Sequence, residues 1–316
     1  MMRKLTIGTR DSKLALWQSR HIARCLRENG VEEVVLEVIA TTGDRFADRH
    51  PVQMSTKGIF VKEIEDALLH GQVDLAVHSA KDLPAELPGG LTLAAHPERA
   101  DPRDVLLTRD GFSLENLPQG IVLGTLSLRR RAQLLACRPD LRFMDMRGNV
   151  DTRIRKLEAG EVDGIVLALA GLQRLDLVDD RCWPIPVETC LPAPGQGTLA
   201  VECRADDHEV IRALRCLENA DARREVTAER TVLAELDAGC LVPLAALARI
   251  QAGDMVVRGL VARPDGTEIL REERRGSPDA AARLGHEVAE ALKSRGAVEL
   301  LRAARENPAG QSLADD

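Results

Sequence analysis

The stretch Val77-His78-Ser79-Ala80-Lys81-Asp82-Leu83-Pro84 organises the chain. Leu75, Ala76 and Val77 lead into it as a short apolar run that suits a buried strand. Five small or polar residues follow from His78 to Asp82, and Pro84 forbids a regular continuation. In an open α/β sheet, ligands bind beyond the carboxyl ends of the strands. Lys81 beside Asp82 therefore sets a cation and a carboxylate where a strand ends. Two readings stand at this point. One is a turn in which Asp82 hydrogen-bonds its own backbone. The other is a site with charged groups at work.

The elements on either side have the same character. Leu5 to Gly8 reads as a strand, Thr9-Arg10-Asp11-Ser12 as a turn with Ser12 as N-cap, and Ala15, Ile22 and Leu26 as one face of a helix. Val34 to Ala40 reads as a second strand. Thr41 to Ser55 is polar and aperiodic, a loop ending near Lys57-Gly58, and Ile59 to Leu69 is helical in period. Pro97 to Pro102 is a polar break and a candidate linker. Val105 to Leu107 and Ile121 to Leu123 read as strands, with a helix starting at Leu128 and another after Arg147-Gly148-Asn149. Gly164 to Ala170 reads as an apolar strand, and Val226 to Leu236 as a helix.

There is an internal echo. Strand-Gly8-Thr9-helix is matched by strand-Gly124-Thr125-helix, and Gly71-Gln72-Val73-Asp74 by Gly160-Glu161-Val162-Asp163. Two similar α/β lobes explain both pairs, and so does ordinary boundary chemistry. Similar lobes would place a site in the cleft between them. Beyond Pro243 the pattern changes. Three strands, Leu244 to Ile250, Met255 to Arg263 and Glu268 to Arg274, are separated by turn sequences. Two helices follow, Pro278 to Leu292 and Ala297 to Arg305, which makes an α+β module.

At 316 residues the chain has room for two or three domains. With 44% hydrophobic residues but only 2% aromatic and no Tyr, the cores must be built from Leu, Val, Ile and Ala. The net charge of −7 and the shortage of stacking rings argue against nucleic-acid binding. No run of about 18 apolar residues occurs, so no membrane span is expected. Seven cysteines without a C-x-x-C pair, and without a secretion signal, suggest reduced thiols in the cytoplasm and no metal centre.

Arginines gather where helices begin: Arg10, then Arg129, Arg130 and Arg131, then Arg147, Arg153 and Arg155. Helix starts offer unpaired N–H groups, and added guanidinium makes a carboxylate or phosphate site. Solvated surface arginine is the plain alternative, although cations at helix starts oppose the dipole. Gly195-Gln196-Gly197 is no phosphate loop of known spacing and reads as a tight backbone approach or a crossover between lobes. Cys240 lies in a Gly-containing loop ahead of Pro243, where a thiol is open to reaction.

Six motifs then occur in order: Lys57-Gly58-Ile59-Phe60-Val61-Lys62-Glu63, Ala76 to Pro84, Gly124 to Arg130, Arg147 to Arg153, Leu191 to Gly197, and Gly239-Cys240. Together they resemble the porphobilinogen deaminase (hydroxymethylbilane synthase) family over nearly the whole chain. The resemblance implies a transferase of tetrapyrrole and haem biosynthesis. It joins four porphobilinogen units head to tail, with loss of ammonia, on a dipyrromethane cofactor held by thioether to Cys240. It implies Asp82 as catalytic residue. Lys81, Thr125, Ser127, Arg129, Arg130 and Arg153 would hold the cofactor. Arg10, Ser12, Arg147 and Gln196 would hold substrate, with Lys57 and Phe60 on the cleft loop. Each pyrrole carries an acetate and a propionate, which gives the arginines a polyanion to bind.

Ala80 stands where the family commonly has Met, Leu126 replaces a Ser, and Ala238 replaces the first Gly of Gly-Gly-Cys. The expected fold is α/β. Two doubly wound lobes like those of periplasmic binding proteins would surround a cleft, with a smaller α+β domain beside them. The expected boundaries are 1–98 with 199–217 for the first lobe, 103–193 for the second, 219–306 for the third domain and 307–316 for a flexible tail. Family precedent is a monomer whose partners are porphobilinogen and the growing chain. A solute-binding protein is the other reading of two lobes around an anion site, but it has no use for Cys240 or the third domain.

Overall fold

The structure, a computed structural model, describes residues 4–41, 61–237 and 242–306. Lys57, Phe60, Cys240, most of the 41–55 loop and the 307–316 tail lie outside the described residues. The chain divides into two compact units, Met1–Ala100 with Gly197–Arg223 and Asp101–Gln196 with Arg224–Asp316.

The first unit is built on β1 (Lys4–Thr9), β2 (Glu33–Val38), β3 (Leu75–Ser79), β4 (Leu91–Ala95) and β10 (Leu199–Arg204), in the order β2-β1-β3-β10-β4. β1 runs parallel to β2 and β3, whereas β10 runs antiparallel to β3 and β4. Alternate residues of a strand face opposite sides. Leu5, Ile7, Leu75 and Val77 accordingly pack against α1 (Lys13–Glu28) and α6 (His208–Leu214), while Ala76 packs against Ile64 and Leu68 of α2 (Lys62–Leu69). Helices on both faces make the sheet doubly wound. α1 starts where expected, with the Ser12 hydroxyl accepting from the Ala15 N–H at 3.3 Å.

In the second unit, β5 (Asp104–Thr108), β6 (Val122–Gly124), β7 (Arg142–Met144), β8 (Gly164–Ala168) and β9 (Cys182–Pro184) form a sheet of order β7-β6-β8-β5-β9. β6 is parallel to β7 and β8, and β5 is antiparallel to β8 and β9. Strand for strand this is the topology of the first sheet. The echo in the sequence is structural down to single bonds. The Thr6 N–H donates to the Asp74 carboxylate at 2.7 Å and the Asp74 N–H to the Thr6 carbonyl at 2.9 Å. The Val122 N–H donates to the Asp163 carboxylate at 2.9 Å and the Asp163 N–H to the Val122 carbonyl at 2.9 Å.

Around this sheet lie α3 (Leu128–Cys137), α4 (Val150–Glu158) and α5 (Leu169–Arg174). The apolar run at Gly164 is not one strand: it leaves the sheet at Ala168 and turns into α5, whose first four residues are also buried. Burial of both parts removes any periodic mark of the change. α7 (Ala220–Glu235) begins six residues before Val226, capped by the Asn219 side chain accepting from the Ala222 N–H at 2.9 Å. Its polar first turns carry no apolar period to reveal them.

β11 (Leu244–Gln251), β12 (Asp254–Ala262) and β13 (Ile269–Gly276) form the antiparallel meander read from the sequence, packed on α7, α8 (Ala281–Lys293) and α9 (Ala297–Glu306). This module shares the second unit. Ala132 of α3 packs with Ala245, Leu247, Leu260 and Ala262. Gly285 lets α8 approach α7 closely, since a Cβ there would collide with the Ala228 carbonyl and the Thr231 side chain.

Candidate functional site

Parallel strands direct their carboxyl ends to one edge of a sheet, and the expected site residues collect at those edges, each in its own unit. In the first unit, Arg10 and Ser12 follow β1, and Lys81 and Asp82 follow its neighbour β3. Ala80 to Asp82 form one 3₁₀ turn. Ala80 and Leu83 are 2% and 1% exposed and pack with Val61 and Ala200, and the Ala80 N–H donates to the Thr198 carbonyl at 3.0 Å. The turn is thus pinned on both sides while Asp82 itself is exposed. The stretch is a turn, but not one closed by the Asp82 side chain on its own backbone. Among the described residues no donor is bonded to that carboxylate.

Behind the turn lies a polar cluster that the sequence did not announce. His78 Nε2 and Glu202 Oε2 are 3.0 Å apart, both residues buried, with Glu65 of α2 buried nearby. Burial, and then the charge of Glu202, push the Glu65 carboxyl up to about 7, against a smaller opposing pull from His78.

In the second unit, Thr125 and Ser127 follow β6, and Arg147 and Arg153 follow its neighbour β7. Thr125 is fully buried and its hydroxyl accepts from the Ser127 N–H at 3.2 Å. Ser127 caps α3, accepting from the Arg130 N–H at 3.4 Å. Arg153 Nε donates to the Gly148 carbonyl at 2.9 Å. Gly148 has a φ of +104°, a conformation that favours glycine, and a Cβ there would strike Thr152.

Arg129, Arg130 and Gln196 converge on one residue that the sequence reading passed over, Asp104. Arg129 Nη1 donates to Asp104 Oδ2 at 2.7 Å. Arg130 donates to Oδ1 through Nε at 3.0 Å and Nη2 at 2.8 Å, and Gln196 Nε2 donates to Oδ1 at 3.0 Å. The Cys190 thiol lies 3.4 Å from Oδ2. Burial by itself raises an acid, but the charges of Arg129 and Arg130 outweigh it and hold Asp104 well below the usual carboxylate range. The arginines at this helix start are therefore buried in a charged cluster, not solvated surface groups. Glu229 of α7 is a second buried acid the sequence did not reveal: it accepts from the Gly195 N–H at 2.6 Å and the Ala248 N–H at 2.7 Å, tying the Pro-Ala-Pro-Gly-Gln-Gly loop to β11.

The six described cysteines are free thiols. Burial pushes Cys190 up to about 12 and Cys203 up to about 11, and raises Cys182 and Cys216. Among the described residues one group has the make-up of a metal site, Glu235 with His286 and Glu290. The Lys293 ammonium already bonds Glu235 at 2.9 Å and Glu290 at 2.7 Å, which supplies the positive charge a metal would bring. No described helix is long and apolar enough to cross a membrane.

Guanidinium, ammonium and hydroxyl groups at the strand ends make a donor set for carboxylates. That chemistry fits a dipyrromethane, whose side chains are acids.

Comparison with known proteins agrees. Residues 5–212 match the model described as "Porphobilinogen deaminase, dipyromethane cofactor binding domain", and residues 223–294 match "Porphobilinogen deaminase, C-terminal domain". The porphobilinogen deaminase of Syntrophomonas wolfei is 48% identical over 302 residues, covering 95% of this chain and 98% of that one. Those of Desulforudis audaxviator and Brevibacillus brevis are 48% and 46% identical, covering 96% and 95% of this chain and 99% and 97% of theirs. Among solved structures, the methionine-binding protein MetQ aligns at a TM-score of 0.44 with 13% identity, over 66% of this chain and 87% of that one; the two-lobe assignment rests on the matched strand orders instead. Motif order, edge-clustered cations and relatives aligned nearly end to end converge on one conclusion: the chain belongs to the porphobilinogen deaminase family.

Proposed function

We propose that the protein condenses four porphobilinogen molecules head to tail, with release of ammonia, to give hydroxymethylbilane on a dipyrromethane attached to Cys240. The observation that carries this reading is the placement of Asp82. Its carboxylate stands exposed on a pinned turn at the carboxyl end of β3, in a chain of this family.

The dipyrromethane, when bound, supplies the pyrrole carbon on which the chain starts. Asp82, as the acid, donates a proton to the departing amine of the substrate. As the carboxylate it faces the cation left behind and stabilises it. Asp82 then takes back the proton that is released once the new carbon–carbon bond has formed, so the cycle closes with one ammonia released per unit.

Lys81, Thr125, Ser127, Arg129, Arg130 and Arg153 are assigned to the cofactor carboxylates. Arg10, Ser12, Arg147 and Gln196 are assigned to substrate, and Lys57 and Phe60 to the loop that borders it. Burial of Cys190 and Cys203, which keeps them as thiols, supports Cys240 as the tether. The same reading takes the protein as a cytoplasmic monomer that binds no nucleic acid. It also takes 219–306 as a third domain that carries the cofactor cysteine.

Turnover of porphobilinogen by Asp82→Ala tests the assignment. Loss of one preorganised charged group costs about 3–4 kcal/mol of transition-state stabilisation, a 10²–10³-fold fall in kcat. Circular dichroism should remain that of the parent. Near-normal turnover removes Asp82 from the chemistry.

A further inference from the structure

The carboxylate of Asp104 accepts four hydrogen bonds from Arg129, Arg130 and Gln196, and the reaction as described gives it no part. It is the first residue of β5 and pairs in register with Ala168, the last residue of β8. Because β5 runs antiparallel, its beginning lies at the edge where the parallel strands end. Asp104 therefore sits beside the turn that carries Thr125 and Ser127, without projecting to solvent: its exposure is 0%.

The first unit supplies an internal control. Its strand corresponding to β5 is β10, and the residue paired with the end of β3, at Ser79, is Leu199. Counted from the helix caps, Arg129 and Arg130 after Ser127 stand where Leu14 and Ala15 follow Ser12. The same topology is thus built once with Leu199, Leu14 and Ala15 and once with Asp104, Arg129 and Arg130. The fold does not demand the charges. A buried ion cluster is a weak source of stability, since desolvation offsets most of the attraction. Its retention in one unit alone calls for another cause.

We propose that Asp104 is a positioning residue, which fixes Arg129 and Arg130 as one rigid array for the carboxylates of the bound pyrroles, with Gln196 bracing the aspartate from behind. The inference rests on the functional reading given above. Arg129 reaches its three acceptors, Asp104, the Leu191 carbonyl and Cys190, through Nη1 alone. Among the described residues none takes its Nε or Nη2, and that edge remains for a ligand. Arg130 is clamped on two sides, by Asp104 and by the Val166 carbonyl at 2.9 Å. Gln196 is held between Asp104 and the Pro102 carbonyl at 2.7 Å. One carboxylate against two guanidinium groups leaves a formal charge of +1, so the cluster remains an anion attractor.

The test compares Asp104→Asn, which keeps shape and removes charge, with Asp104→Glu, which keeps charge and shifts it by one methylene. Each is made alone and with Arg129→Lys, in the holo-protein. Three readouts are taken: intact mass of the purified protein, the ladder of masses during turnover, and kcat and KM separately. Asp104→Asn should lower kcat about 100-fold, the size of effect that ångström-scale misplacement produces. It should also stall the ladder at bound intermediates and leave part of the protein without dipyrromethane. Asp104→Glu should recover at least about tenfold of that loss at the same thermal midpoint, which a purely structural role would not give. With Arg129→Lys present, the further effect of Asp104→Asn should shrink below about threefold, because coupled residues are not additive. A wild type that carries and elongates the adduct beside an Asp104→Asn variant equal to it overturns this proposal alone. So do fully additive effects, or an Asp104→Glu variant no better than Asn. A wild type with neither adduct nor turnover overturns the functional reading and this proposal with it.

Discussion

Glu65→Gln isolates a charge that the first unit holds at a cost. Glu65 is 6% exposed and Glu202 0%, with His78, also 6% exposed, bonded to Glu202. Burial, then Glu202, then Asp66 raise the Glu65 carboxyl from 4.5 to about 7, and His78 opposes them. A raised acid binds its proton more tightly in the native state than in the unfolded chain. Stability therefore falls as pH climbs from about 4.5 to about 7, and is level above and below that window. At about 1.4 kcal/mol per pH unit, the loss across the window is about 3 kcal/mol. Gln keeps the size and hydrogen-bonding capacity of the neutral acid and cannot ionise. Urea unfolding of the parent and the variant at pH 4.5, 6, 7 and 8 reads the effect, with titrating groups away from this cluster cancelling in the difference. The variant should gain about 3 kcal/mol on the parent between pH 4.5 and 8. A difference that stays constant within about 0.5 kcal/mol over that range would refute the reasoning.

Gly285→Ala should destabilise the C-terminal module by about 1–3 kcal/mol, the usual cost of overpacking, because its methyl meets the α7 backbone at Ala228 and the Thr231 side chain; a thermal midpoint equal to the parent's counts against the close approach. Arg147→Gln and Arg153→Gln should each stall chain growth, leaving a truncated ladder of enzyme-bound masses during turnover, and a parental ladder in both takes these residues out of the site.

Much of the fold was legible because its signals are local. Ser12 announces α1 by cap chemistry, and the turn sequences Gln251 to Asp254 and Pro264 to Gly266 separate strands that pair with their neighbours in sequence. The echo of Gly-x-Val-Asp was legible because Asp74 and Asp163 perform the same strand-tying bond. What was missed depends on distant partners. β10 pairs with β3 across more than a hundred residues, and no local pattern names that partner. Asp104 looks like an ordinary strand-start acid until Arg129, Arg130 and Gln196, from 25 to 92 positions away, close on it. The arginines were seen as a cluster at a helix start, but the carboxylate that orders them was invisible for the same reason.

Peptide mapping by mass spectrometry of the protein as purified, and again after brief exposure to porphobilinogen, is the measurement that bears most directly on the account. It predicts a dipyrromethane on the Cys240 peptide and on no other cysteine, growing by whole pyrrole units as substrate is supplied, and no adduct in Cys240→Ser. An unmodified Cys240 in active protein, or the adduct on Cys25, Cys137 or any other thiol, would contradict it.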